Sequence, residues 1–161
     1  MIWLEALSYI VTILGFPTAI AVIVREERLR RRNEEHELHR NLSEEYDNFL
    51  RMVMDNADLL LMSRTAPPSP LSDEQCERRD VMFRMLVSLF EKAYIILYSE
   101  QMDIEARRVW GSWRDDMSEW CERPDFRAAL PAMLEGEDDA FSRYFIALSD
   151  DIDAKARAKA R

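Results

Sequence analysis

From Ala6 to Val24 the chain runs for 19 residues without a charged side chain, and Arg25 follows at once. At about 1.5 Å per residue, a helix of that length spans roughly 28 Å, close to the thickness of a bilayer's hydrocarbon core. Trp3 and Tyr9 stand near its outer end, where amphipathic rings favour the headgroup level, and Glu5 reaches the same interface. Beyond the apolar run come Arg25, Arg28, Arg30, Arg31 and Arg32, whereas no Lys or Arg precedes it. Basic flanks stay on the side where the chain is made. The expected arrangement is a single-pass transmembrane helix over 1–24, N-terminus out, with the remainder cytoplasmic. A cleaved signal peptide would instead carry its basic residues ahead of the apolar core and small residues at a cleavage site behind it.

Ser8, Thr12, Gly15 and Ala19 recur at spacings of four, three and four, which lines small side chains along one face of this helix. Helices associate in lipid along such stripes, because close backbone approach replaces the hydrophobic effect there. Gly15, Phe16 and Pro17 predict a bend, since proline removes a donor and crowds the preceding turn. The arginine cluster is a candidate membrane-surface patch, each cation contributing on the order of 1 kcal/mol beside anionic headgroups.

The residues after the anchor suffice for one small domain. The sequence is 48% hydrophobic and 33% charged with 3 glycines, which favours helices over tight hairpins. The expected fold is all-α: the spanning helix continues through a charged juxtamembrane stalk at 25–40 into a small antiparallel bundle at 41–152, followed by a basic tail at 153–161. Leu42, Tyr46, Phe49, Leu50, Val53, Ala57, Leu60 and Leu61 follow helical period. Pro67, Pro68 and Pro70 place the main loop at 63–72. Ser72 and Gln75 have the spacing of a capping box opening the next helix. That helix, with apolar residues from Val81 to Leu97 on more than one face, is expected to be central. Within it Glu91 is expected to project outward or pair with an arginine. Trp110, Trp113, Met117 and Trp120 trace one face of a further helix. The stripe reads first as core; alternatively Trp110, Trp113 and Trp120 form part of a partner surface, since tryptophan is over-used at recognition sites. Pro124 ends this helix. A short one follows from Asp125, Gly136 interrupts it, and a last helix carries Phe141, Tyr144, Phe145 and Leu148. The tail from Asp153 is expected to be frayed or to lie on the surface.

The net charge of −9 argues against nucleic acid as a partner, because such proteins present a net basic face to phosphate. Cys76 and Cys121 lack metal-site spacing and read as free thiols. His36 and His39, the only histidines, stand three apart with no HExxH pattern and too few companions to close a zinc site. There is no phosphate-binding loop, dinucleotide fingerprint or nucleophile elbow. Neither a catalytic residue nor a cofactor or metal is expected.

Phe90, Glu91, Lys92, Ala93, Tyr94, then Trp110 and Trp113, then Trp120 with Arg123, Pro124, Asp125, Phe126 and Arg127, and finally Phe141, Tyr144 and Phe145, resemble an uncharacterised family of small bacterial single-pass membrane-anchored helical proteins. The resemblance covers most of the chain and implies the same layout of anchor, charged helix and tryptophan-rich helical domain. This sequence departs from the pattern in its Pro-rich loop and at Ala129, where such proteins often carry another tryptophan. The likeness implies no catalytic residues. The expected function is that of a non-enzymatic interaction or scaffold module, held at the lipid bilayer and presenting its helical domain to a protein partner. The alternative is a self-associating effector or sensor of the stress or phage-defence type, assembled through its spanning helices.

Overall fold

The computed structural model describes residues 2–63 and 70–159, with the side chains of 2–19, 21, 28, 29 and 31–36 excepted. Five α-helices make up most of these residues: α1 (Ile2–Asp55), α2 (Asp73–Leu97), α3 (Ile104–Cys121), α4 (Pro124–Met133) and α5 (Asp139–Lys159), with a 3₁₀ turn at Ala57–Leu59. No strand occurs among the described residues. The chain divides into two compact units, Met1–Asn41 and Leu42–Arg161.

In the first unit, α1 runs unbroken through Pro17 and the arginine-rich segment. The described side chains Ile20, Val22, Ile23 and Val24 are all exposed, between 43% and 64%. Among the described residues no helix is long and apolar enough to cross a membrane. Most of the expected span, the stripe of Ser8, Thr12, Gly15 and Ala19 and the bend at Pro17 fall on side chains outside the described set. The structure therefore bears out the helix and gives the spanning part of the expectation no support.

The second unit is a bundle whose directions follow from its aromatic pairs. Along α2, Phe83 meets Trp120, Phe90 meets Trp113 and Tyr94 meets Trp110, so α2 and α3 run opposite ways. Tyr46 packs on Phe90 while Asn56 bonds Arg78, which sets the end of α1 antiparallel to α2. Phe141 lies on Tyr94 and Phe145 on Phe90, so α5 also opposes α2. The short α4 returns the chain beside α2, with Phe126 edge-on to Phe83 at 5.0 Å. Successive helices thus alternate in direction, as expected of an antiparallel bundle. As its spread of apolar positions predicts, α2 is central, packing on α3, α4, α5 and the end of α1. Phe83, Leu86, Val87 and Phe90 are fully enclosed, although Val81, Met85, Ile95 and Ile96 from the same run remain exposed.

The capping box forms: Ser72 Oγ accepts from the Gln75 N–H at 3.2 Å, and Gln75 Oε1 accepts from the Ser72 N–H at 2.9 Å. Where α1 ends, the periodicity misleads. The helix stops at Asp55, and Leu59 and Leu61 are buried while Leu60 is 41% exposed. Asn56 turns its amide back onto the Met52 carbonyl, and Leu60 takes a left-handed φ of 49°. A non-glycine residue pays about 1 kcal/mol there.

Arg123 compensates that strain. Its side chain is 4% exposed, and Nη1 donates to the carbonyls of Leu60 at 2.7 Å, Leu61 at 3.0 Å and Ser63 at 2.7 Å. The other side of its fork grips Asp125 through Nε at 3.1 Å and Nη2 at 2.7 Å. Arg127 caps the end of α3 through the carbonyls of Cys121 and Glu122 and reaches Asp153 on α5 at 3.1 Å. Asp153 also pairs with Arg157, and Asp151 with Lys155, so residues 153–159, expected to be frayed or to lie on the surface, form the exposed last turns of α5. Arg123→Met should cost about 3–5 kcal/mol, because it strands three carbonyls and a half-buried carboxylate. Arg123→Lys should fall between the two, since an ammonium cannot serve both sides of the fork. Urea unfolding of the two variants checks this, and a loss below about 1 kcal/mol for the methionine variant would refute the role given to Arg123.

Candidate functional site

Trp110, Trp113 and Trp120 belong to the interior. They are 4%, 5% and 3% exposed, and their rings meet Tyr94, Phe90 and Phe83 of α2. The reason lies in α3 itself, whose apolar stripe is narrow and whose other face is charged, so the stripe has one place to go. A partner surface made of these rings is therefore corrected to core. Arg25 and Arg30 are exposed, and the side chains of Arg28, Arg31 and Arg32 lie outside the described set. His36 lies outside it too, and among the described residues no cluster of His, Cys, Asp or Glu could hold a metal ion. Cys76 is half-buried and Cys121 buried, both as free thiols, and burial pushes the Cys121 thiol up to about 12.

Among the described residues, one concave surface lies elsewhere in the bundle. A groove of about 620 Å³ opens between the end of α1, the middle of α2 and the turn joining α4 to α5. Its floor is apolar: Phe49, Met52, Met85, Leu89 and Met133. Its rim is charged: Glu45, Arg84, Lys92, Glu135 and Glu137. Helical spacing assembles both parts. Glu45, Phe49 and Met52 follow one face of α1, and Met85, Leu89 and Lys92 follow one face of α2. Phe49 and Leu89 continue inward as core at 2% and 6% exposure, while Met85 is left 43% exposed. The size falls within the range of ligand clefts, and unbranched thioethers adapt to varied apolar shapes.

Lys92 Nζ bonds Glu45 Oε2 at 2.9 Å, closing one wall between α2 and α1. Glu91, expected to project outward or pair with an arginine, is half-buried and meets a backbone N–H in place of an arginine. Its Oε1 accepts the Asp138 N–H at 2.5 Å, at the start of α5. Asp138 in turn accepts from the N–H groups of Ala140 and Phe141, capping that helix. Gly136, at φ 96°, makes the turn that brings Glu137 against Glu91. The hydrogen bond between these two carboxyls, aided by partial burial and their mutual repulsion, raises the Glu137 pKa above the usual carboxylate range. Sequence reading missed this groove because its methionines look like core and its acids come from separate helices and a turn. The faint signal was an α2 apolar run broader than the core could use.

A second polar feature crosses the bundle near Tyr46. Trp120 Nε1 donates to Tyr46 Oη at 3.3 Å, and the Asp116 carboxyl lies beside Tyr46. Burial, with Glu119 and Asp115 nearby, raises Asp116 to about 6, and burial raises Tyr46 to about 12.

No family model, no curated protein and no solved structure matches this chain.

Asp116 makes stability depend on pH. The unfolded chain releases this proton near 3.8 and the folded chain near 6, so the contribution is fully present below about pH 3.8 and is lost as pH rises through 6. Asp116→Asn should flatten that decline and stabilise the fold at pH 7.5 by about 1 kcal/mol, a figure discounted for the half-exposed carboxyl. Urea midpoints of both proteins at pH 4.5 and 7.5 decide it; equal pH slopes would rule the assignment out.

Proposed function

We propose that this chain is a membrane-held, non-enzymatic interaction module: its N-terminal helix sits in the bacterial inner membrane, N-terminus out, and its bundle offers the α1–α2 groove to a protein partner in the cytoplasm. The observation that carries the membrane part is that Val22, Ile23 and Val24, three successive positions pointing about 100° apart, are all exposed just before Arg25. A helix apolar on every side is stable only when something apolar surrounds it, and the uncharged run from Ala6 supplies the length for lipid to do so. The arginines that follow set the orientation. The likeness of the Phe90–Tyr94 and Trp110–Arg127 segments to small membrane-anchored proteins points the same way. The partner part rests on the exposed thioether of Met85 in a groove with an apolar floor and charged walls.

Expressed at native level in bacteria, the full-length chain should stay in the membrane pellet after an alkaline carbonate wash. A photo-crosslinking residue at position 85 should form a discrete protein adduct. Release into the wash refutes the anchor, and crosslinking to nothing but lipid refutes the partner. The stripe of Ser8, Thr12, Gly15 and Ala19 favours a second reading, self-association in lipid. Under that reading Gly15→Leu with Ala19→Leu lowers the oligomer mass in mild detergent, and an unchanged mass removes its support.

A further inference from the structure

We infer that the groove between α1, α2 and the α4–α5 turn takes a basic amphipathic helix of a partner protein, seating its apolar side chains on Met52, Met85 and Met133 and its lysines or arginines on Glu135 and Glu137. This rests on the interaction-module reading and adds the chemistry of the partner.

The charge argument is local as well as global. Residues 1–41 carry six arginines and six carboxylates, while 42–161 carry sixteen basic and twenty-five acidic residues, so the whole net charge of −9 belongs to the unit that holds the groove. That field repels anionic lipid and nucleic acid and attracts a cationic protein segment. Within the groove, Lys92 is already engaged by Glu45. Among the described residues neither Glu91, Glu135 nor Glu137 forms an ion pair with lysine or arginine. Glu91 and Glu137 are held against each other by the Asp138 N–H and the Gly136 turn. Two carboxyls packed side by side are relieved by a proton or by a cation, and a lysine or arginine arriving from the groove supplies the second.

The groove is also polarised along its length. Arg84 lies seven residues before Glu91, about 10 Å along α2, on the rim opposite the acid pair. The docked helix therefore places its cations at the Glu137 end and its carbonyl terminus, which carries partial negative charge, toward Arg84. Apolar anchors at helical spacing against a methionine floor are the usual form of helix-in-groove recognition.

The test uses the full-length chain in phosphatidylcholine nanodiscs, with two probes: a leucine–lysine amphipathic helix of about 18 residues, five turns, and its twin with glutamate in place of lysine. The lysine peptide should bind about tenfold or more tightly than its twin by fluorescence anisotropy. It should shift the methyl signals of Met52, Met85 and Met133 while leaving the enclosed Met117 unchanged. Glu135→Gln with Glu137→Gln should weaken binding about fivefold to tenfold, whereas Asp150→Asn with Asp151→Asn, the same change of charge on α5, should not. Equal binding of the glutamate twin, unshifted groove methyls, or equal loss from the α5 variant overturns the proposal. A position-85 adduct with a partner lacking a basic amphipathic helix also overturns it, and leaves the interaction-module reading standing.

Discussion

Arg123 takes a full positive charge out of water at the corner between α3 and α4, and the second unit depends on how completely that charge is answered. Moving a guanidinium into protein costs several kcal/mol unless its donors are satisfied. Here Asp125 neutralises it and three carbonyls of the Leu60–Ser63 turn accept from it. The turn could not hold Leu60 at positive φ without that partner, and Leu59 and Leu61 would lose the backbone geometry that sends both inward. Arg78 secures the same turn from α2, through Asn56 and Asp58. The connection after α1 is thus fastened to two helices by charge-assisted bonds, which fixes where α1 ends against the bundle core.

Around that corner the packing is aromatic. Phe83 and Phe90 stand two turns apart on α2 and collect Trp120, Phe126, Trp113 and Phe145 in edge-on or tilted contacts. Rings meeting edge-on fill a five-helix junction with few rotamers, so the register between helices is set by a handful of large side chains. The tryptophans drawn into this junction cannot also serve as a surface. The methionine-lined flank between α1 and α2 is one of the places where apolar atoms meet solvent.

Carboxyls shape the character of that flank and of the Tyr46 site. Asp116 beneath its acidic neighbours and Glu137 against Glu91 both hold their protons more tightly than isolated side chains would. Both therefore favour the fold at mildly acid pH, and both are places where an approaching cation would be welcomed. On the membrane-held reading, an acidic bundle beside a negative inner surface is held off the lipid and open to a protein partner, while the arginines after Val24 keep the connecting segment at the headgroups.

Much of the fold was legible in the chain itself. Helix number, the Ser72–Gln75 cap, the helix break at Pro124 and the central rank of α2 all follow from interactions within a few residues, where spacing and side-chain chemistry suffice. The end of α1, the choice of helix over fraying for Asp153–Lys159 and the partner of Glu91 were not, because each depends on a residue more than twenty positions away. Arg123 lies 63 residues from Leu60, Arg127 lies 26 from Asp153, and Glu91 lies 47 from Asp138. Periodicity states which side chains share a face of a helix. Only the packed bundle decides which part of that face finds a neighbour, and so which methionines and carboxylates remain to form a groove.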